Sequence, residues 1–451
     1  MRKIRLGSGA GYSGDRLEPA LDLIEHGNID YIGFECLAER TIALAHEQML
    51  RNPEKGYNEF LEYRMNGILP LFDRKQFKVI TNMGAANPRA AVRVVAEMAA
   101  KRTKRRLKIA AVYGDDILDT IDTYRDYIIM ETGEKLGSLG NSIISANAYI
   151  GAEAIVEALK GGADIVIGGR IADPALFLGP LMYEFGWKPT DSEKVGKGIL
   201  VGHLLECSSQ VMGGYFADPG FKDVPELWNI GFPIAEVDES GDAVITKLPS
   251  AGGMVTPATV KEQIIYEIHD PRAYFTPDGV ADYSQVGVEE IGKDKVAVRG
   301  ASGKPSNGMY KVSVGYKDGF IGEGEISYGG PGAYERAELA GKIITERLKY
   351  RKVPVEEIRV DYIGVNSLYK EPLSLRLNAN ERNNAEVRLR VAIRTKTKED
   401  AELVGNEVET LYLNGPAGGG GAWKNVKEVI AVASILIPRK DISVGVEYQE
   451  V

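Results

Sequence analysis

The chain has 451 residues, enough for two or three domains, and its 44% hydrophobic and 26% charged composition is that of a globular protein. A net charge of −9 argues against a nucleic-acid partner, and two cysteines exclude a disulfide framework and a cysteine-rich zinc site. The cysteine usage leads us to expect a reducing, cytoplasmic setting. No signal-like apolar stretch follows Arg2 and Lys3, and no run reaches the ~18 apolar residues of a membrane span, so no membrane partner is expected.

Apolar runs of the parallel-strand type occur at 3–6, 31–34, 78–81, 108–112 and 164–167. Amphipathic helical patterns fall between them at 17–25, 40–50, 59–72, 88–100 and 152–159. This βαβ rhythm predicts an α/β part over 1–214, a parallel sheet with helices on both faces in three layers. Five clear units fall short of the eight of a β/α barrel, so the sheet is expected to be open. Past residue 214 the rhythm changes to short strands at 236–248, 295–298, 310–316 and 320–327, with one helix at 257–268. An α+β part over 215–350 is expected, ending in a helix at 334–349 and a Val353-Pro354 linker. The remainder, 355–451, reads as strand, polar stretch (378–384), strand, helix, glycine-rich loop and two strands, the last at 442–448. That order predicts a small ferredoxin-like α+β domain.

The first strand runs into Gly7-Ser8-Gly9-Ala10-Gly11-Tyr12-Ser13-Gly14-Asp15-Arg16. Glycines admit close backbone approach, a helix start offers unpaired N–H groups, and Arg16 adds a forked cation. An anion is therefore expected here, bound by Ser8, Gly9, Asp15 and Arg16. The P-loop Lys-Ser/Thr is absent, which argues against a Walker-type NTPase. Gly9, Gly11 and Gly14 match G-x-G-x-x-G, with Glu35 near the place of the acidic partner, so a dinucleotide and an unliganded strand–helix turn stay open as alternatives.

The ends of parallel strands share one edge, and each end here is polar. Arg40 and Arg170 join Arg16 as clamps for carboxylate or phosphate oxygens. Asn82 and the amides near Gly84 are candidates for holding an oxyanion, and Asn147 is placed to face the same cleft. Glu35, Glu39, Asp115 and Asp116 are candidate acids or bases, and Cys36 is counted with the catalytic candidates beside Glu35. Acidic pairs also bind Mg2+, so no cofactor is expected but a divalent metal is kept as an alternative. Asn87-Pro88 and Asp173-Pro174 have the form of helix caps. On a helix, His203, Glu206, Cys207 and Gln210 share one face, which makes His203 an acid–base candidate. The Gly418–Gly421 loop has no phosphate lysine and reads as a packing or subunit contact.

Together these segments resemble the AtuA family, named for acyclic terpene utilisation. The resemblance rests on residues 7–16, Phe34-Glu35-Cys36-Leu37-Ala38-Glu39-Arg40-Thr41, Thr81-Asn82-Met83-Gly84-Ala85-Ala86-Asn87-Pro88, residues 213–220 and Gly415-Pro416-Ala417-Gly418-Gly419-Gly420-Gly421. It implies an AtuA core over roughly residues 1–345 with a small C-terminal ferredoxin-fold domain. It also implies a place in the breakdown of branched terpenoid or short carboxylic acids as CoA thioesters, and it carries over no catalytic residue. The expected activity is a hydratase or dehydratase in which the arginines and first-loop amides hold a small carboxylate or acyl-CoA. Glu35 or Asp115 moves the α-carbon proton, and His203 or a second acid handles the hydroxyl proton. An isomerase or carbon–carbon lyase on the same substrates is the alternative, as is a non-catalytic CoA- or nucleotide-binding subunit. A homo-oligomer is expected, with a small partner subunit as a further possibility.

Overall fold

The structure is a computed structural model and describes residues 2–370, 373–377 and 386–451; the polar stretch 378–384 lies outside the described residues. The first strands are β1 (Lys3–Ala10), β2 (Tyr31–Phe34), β3 (Lys78–Thr81), β4 (Lys108–Tyr113), β5 (Ile143–Ala148) and β6 (Ile165–Gly168). The helices among and after them are α1 (Glu18–His26), α2 (Glu39–Arg51), α3 (Leu61–Ile68), α4 (Pro88–Arg102), α5 (Glu153–Lys160), α6 (Ala175–Phe185) and α7 (Ser192–Glu206). Strands β1, β2, β3, β6 and β4 lie side by side in that order, all parallel. These are the five runs expected from the sequence, with β1 longer than expected, to Ala10.

Side-chain alternation explains why the runs are apolar throughout. Ala110 and Val112 of β4 enter one core with Ile155, Leu176 and Leu204 from α5, α6 and α7. Ile109 and Ala111 enter the other, with Leu23, Met65 and Val95 from α1, α3 and α4. A strand buried on both faces has no polar face to offer water. Asn87 caps α4 by accepting from the Ala90 amide at 3.2 Å, so its structural reading holds.

Helix α7 is buried on nearly all sides. Its glycines permit this: a Cβ at Gly202 would lie 2.4 Å from the Pro174 carbonyl oxygen, and one at Gly196 would lie 2.2 Å from that of Ser302. The polar residues of its last turn, His203 and Glu206, are consequently carried into the interior.

Next come β7 (Ile234–Asp238), β8 (Ala243–Thr246), α8 (Pro257–Ile265), β9 (Tyr274–Phe275), β10 (Gly279–Asp282), β11 (Gly287–Gly292), β12 (Lys295–Arg299) and β13 (Ser302–Pro305). Here the pairing departs from expectation. Four strands within residues 215–350, the stretch expected to form a separate α+β part, extend the main sheet in the order β11-β12-β8-β7-β1, each antiparallel to its neighbour; the expected run 236–248 is the β7–β8 pair, and β11 was not expected. The reason is shared burial: Val237 and Ala235 of β7 face Ile4 and Leu6 of β1 and enter the same core. A smaller sheet, β13-β10-β9, stands apart from it.

The chain clusters into two compact units, Met1–Gly315 with Val432–Val451, and Tyr316–Ala431. The second unit is built from the later part of β14 (Met309–Gly329), α9 (Ala333–Tyr350), β15 (Glu357–Ile363), the short α10 (Leu373–Leu377), β16 (Glu386–Thr395), α11 (Lys398–Asn414) and the early part of β17 (Gly419–Pro438). Its sheet order is β15-β16-β14-β17, with β16 antiparallel to both neighbours. Ala337 and Ile344 of α9 and Val404 and Val408 of α11 pack with Leu389 and Val391 of β16. The β-α-β-β-α-β succession is of the split βαβ kind. It begins earlier than the expected β–β–α–β–β run, taking in β14 and α9. It also omits the final strand: β18 (Gly445–Glu450) pairs antiparallel with β4 at the edge of the first unit's sheet. No helix among the described residues is long and apolar enough to cross a membrane.

The glycines at the end of β1 and in the turn after it are required by close packing. A Cβ at Gly9 would lie 2.5 Å from the Phe34 ring, and one at Gly11 would lie 2.7 Å from the Cys207 carbonyl carbon. Neither glycine has positive φ, so contact rather than backbone freedom requires them. Gly9→Ala and Gly11→Ala are each expected to destabilise by ~1–3 kcal/mol, with Gly11→Ala the worse because a backbone carbonyl cannot rotate away. Urea unfolding midpoints measure this, and unchanged midpoints would contradict the packing argument.

Candidate active site

The first loop supplies its own anion. The Asp15 carboxylate accepts from the Gly11 amide at 2.9 Å and from the Arg16 amide at 2.8 Å. Arg16 is exposed and donates to the Trp228 carbonyl at 2.9 Å. Arg40, on the first turn of α2, is also exposed. In the anion site expected on Ser8, Gly9, Asp15 and Arg16, the Gly11 and Arg16 amides are therefore already taken by Asp15, and Arg16 is turned to the Trp228 carbonyl. Ser8 is buried within β1 with an unpartnered hydroxyl. The cation that does hold the loop is Arg64, wholly buried and donating to the carbonyls of Ser13 and Asp15 at 3.0 Å.

Beyond this loop, at the carboxyl ends of β1 and β2, lies a cavity of about 590 Å3. Its walls carry six carboxyl groups, those of Asp15, Glu35, Glu39, Asp173, Glu206 and Glu267, and no lysine or arginine. Glu35 follows β2 directly. Its Oε1 accepts from the Leu37 amide at 2.9 Å and from Asn82 Nδ2 at 3.0 Å. Asn82, buried at the end of β3, also accepts from the Cys36 amide at 2.8 Å and so fixes the turn that presents Glu35. Burial, then the nearby Asp173 charge, push the Glu35 carboxyl up to about 8 against the pull of Arg170. Burial also pushes Asp173 up to about 6. Cys36 lines the cavity, but burial pushes its thiol far up, and Cys207 behaves alike, so neither is an activated nucleophile.

Arg170 sits behind these acids, 1% exposed. It pairs with Asp173, donates to the Leu37 carbonyl and lies 4.1 Å over the Tyr149 ring. Asp173 was expected to be a helix cap; α6 has no side-chain cap, and the Asp173 carboxylate faces Arg170 and the cavity instead. Asp115 is buried and accepts from Asn147 Nδ2 and the Arg170 amide, both at 2.9 Å. Asn147 Oδ1 in turn lies 2.8 Å from His46 Nε2. Asp115, Asn147 and His46 form a polar scaffold and none lines the cavity. Gly84 also packs, its would-be Cβ 2.5 Å from the Gly168 carbonyl oxygen. His203 stands one shell behind the wall, its Nδ1 2.8 Å from Glu206 Oε1.

A second chamber of about 290 Å3 shares Glu39, Asp173 and Glu267 with the first. Its walls add Tyr149, Lys311, Tyr274 and Met309. Tyr149 lies between Arg170 and Lys311 and hydrogen-bonds Glu39. Burial raises Glu39, but the Tyr149 hydrogen bond and the Arg170 and Lys311 charges win and hold it down at about 2. Glu267 takes a positive φ of 59°, a strained conformation for a non-glycine residue. Among the described residues no group of three or more histidine, cysteine, aspartate or glutamate side chains is arranged to hold a metal ion.

Residues 4–448 match the sequence profile of the acyclic terpene utilisation family protein AtuA. The chain belongs to the AtuA family. No curated protein and no solved structure matches it. The family description links AtuA proteins to acyclic terpene utilisation, a catabolic role. In this AtuA chain two of the motifs that carried the resemblance form cavity wall: Gly11, Tyr12, Ser13 and Asp15 from the first, and residues 35–39 with Thr41 from the second.

Of the residues singled out in the sequence, Asp15, Glu35, Cys36 and Glu39 reach the cavity, and Asn82, Arg170 and His203 support it from behind. Asp173, Glu206, Glu267, Tyr149 and Lys311 were not singled out as site residues. The i, i+3 spacing of Arg170 and Asp173 was the available signal for that pair. Nothing local marks Glu267 or Lys311.

Raising Glu35 above its ordinary 4.5 means the folded state binds its proton more tightly than the unfolded state does. The stability from neutral Glu35 is complete below about 4.5 and is lost as pH rises through about 8. Glu35→Gln, which cannot ionise, should therefore flatten the fall in melting temperature between these pH values. Parallel melting curves for the two proteins across that range would count against a neutral Glu35.

Proposed function

We propose that the chain is a hydro-lyase, a hydratase or dehydratase, acting on a small branched carboxylic acid as its CoA thioester. The carrying observation is Glu35: a carboxyl group on a cavity wall, pushed up to about 8 and so protonated near neutral pH. A positioned neutral acid is what proton delivery to an α carbon needs. The acid-lined wall supports a thioester over a free acid at the reacting end. A neutral carbonyl meets six carboxyl groups without the like-charge repulsion that a free carboxylate would suffer. Two adjacent cavities of about 590 and 290 Å3, with Glu39, Asp173 and Glu267 in the walls of both, suit a branched acyl group. The raised thiols of Cys36 and Cys207 speak for acid–base rather than covalent chemistry.

The test uses purified protein and a branched 2-enoyl-CoA in deuterated buffer. Loss of the enoyl absorbance should be accompanied by solvent deuterium at the α carbon of the product. Glu35→Gln should lower the rate by ~10²–10⁴-fold while the protein stays folded. Wild-type turnover should decline as pH rises through about 8, where Glu35 loses its proton. Full turnover by Glu35→Gln would defeat the assignment.

A further inference from the structure

Helix α7 ends at the wall of the larger cavity, and its last turn carries a pair that the scheme above leaves unused. His203 is 1% exposed and Glu206 8% exposed, with His203 Nδ1 2.8 Å from Glu206 Oε1. Glu206 is a wall residue and His203 is not. The far atom of each, Glu206 Oε2 and His203 Nε2, is buried without a hydrogen-bond partner. Unsatisfied buried polar atoms are costly and rare in folded proteins, and those at a wall ask for a bond that a ligand or water supplies. The imidazole is well fixed: Tyr274 and Tyr283 flank it with ring centroids at 5.4 and 5.9 Å, and Gln263 Nε2 holds the His203 carbonyl at 3.0 Å. Asp173, Cys207, Tyr274 and Tyr283 all feel the Glu206 charge.

We propose that Glu206 is the second proton-transfer group of the site, its Oε2 taking the proton of the water that adds to the substrate, and that His203 is the positioning residue holding its Oε1. The inference rests on the hydro-lyase reading of Glu35. In the hydration direction, Oε2 of the Glu206 carboxylate removes a proton from water as the water oxygen bonds to the β carbon. The π pair of the double bond moves to the α carbon, which takes the Glu35 proton. The product is a 3-hydroxyacyl thioester. Glu206 is left protonated and Glu35 ionised, and proton exchange with solvent through the cavity restores both. Dehydration runs the same steps backwards.

Two reactions separate the roles. Glu206→Gln should lower hydration of the branched 2-enoyl-CoA by ~10²–10⁴-fold, yet keep solvent-deuterium exchange at the α carbon of a saturated branched acyl-CoA within about threefold of wild type. Glu35→Gln should lose both. His203→Leu should lower the hydration kcat with little change in KM, and His203→Asn should restore much of it, because its amide can donate where Nδ1 did. Melting curves confirm that each variant is folded. Nitrogen NMR of the histidine-labelled protein needs no substrate and should show His203 protonated on Nδ1 and bare on Nε2. Wild-type hydration by Glu206→Gln, or a His203 protonated on Nε2 alone, overturns this proposal and leaves the Glu35 reading standing. A wild-type chain that neither hydrates nor exchanges these probes overturns both.

Discussion

One buried guanidinium governs the site. Arg170, closed off from water at the end of β6, is the cation that pulls down the carboxyls of Glu35, Glu39 and Asp173 together. A single positive charge cannot neutralise three carboxylates in a poorly solvated space, so the acids divide. Glu39 wins ionisation, because Tyr149 and Lys311 add to what Arg170 gives. Glu35 has two neutral donors, the Leu37 amide and Asn82, and keeps its proton. The chemistry proposed for the cavity follows from that unequal division. The division follows from a strand end that places Arg170, with Asp173 three residues on, where the β2–α2 segment brings Glu35 and Glu39.

The scaffold behind Arg170 is as closely tied. Its backbone amide and Asn147 share the buried Asp115 carboxylate, and His46 completes the chain through Asn147. Residues that look catalytic by type are here consumed in holding others. Asp15 gives a second instance: a carboxylate satisfies the loop amides that would otherwise have greeted a phosphate. Both cases place a charged side chain inside the chain's own hydrogen-bonding needs, Asp115 away from the cavity and Asp15 on its wall.

The five parallel strands were legible because a strand buried on both faces writes an unbroken apolar run. The antiparallel extension through β7 was not, since a half-buried strand reads alike whether it joins one sheet or starts another. Glu35 was legible because it directly follows a strand, where side chains meet at a common edge. Glu206 was visible only as a neighbour of His203: the helical face was correct, but which of the two reaches the cavity depends on how deeply α7 is sunk. The glycines of the first loop show the same limit. Their spacing fits phosphate binding, while their neighbours in space are the Phe34 ring and the Cys207 carbonyl. Spacing along the chain carries no record of what packs against it.

The last strand has a consequence for how the molecule is made. β4 lies at the outer edge of the parallel sheet until β18, at Gly445–Glu450, pairs with it. A nascent chain can assemble β1, β2, β3, β6 and β4 while that edge still shows unpaired backbone groups, the kind that recruit other chains. The strand that covers it is synthesised long after β4, once the whole of the second unit has been made. The sheet therefore stays unfinished until β18 has been made, and a chain interrupted before it would be left with an open edge.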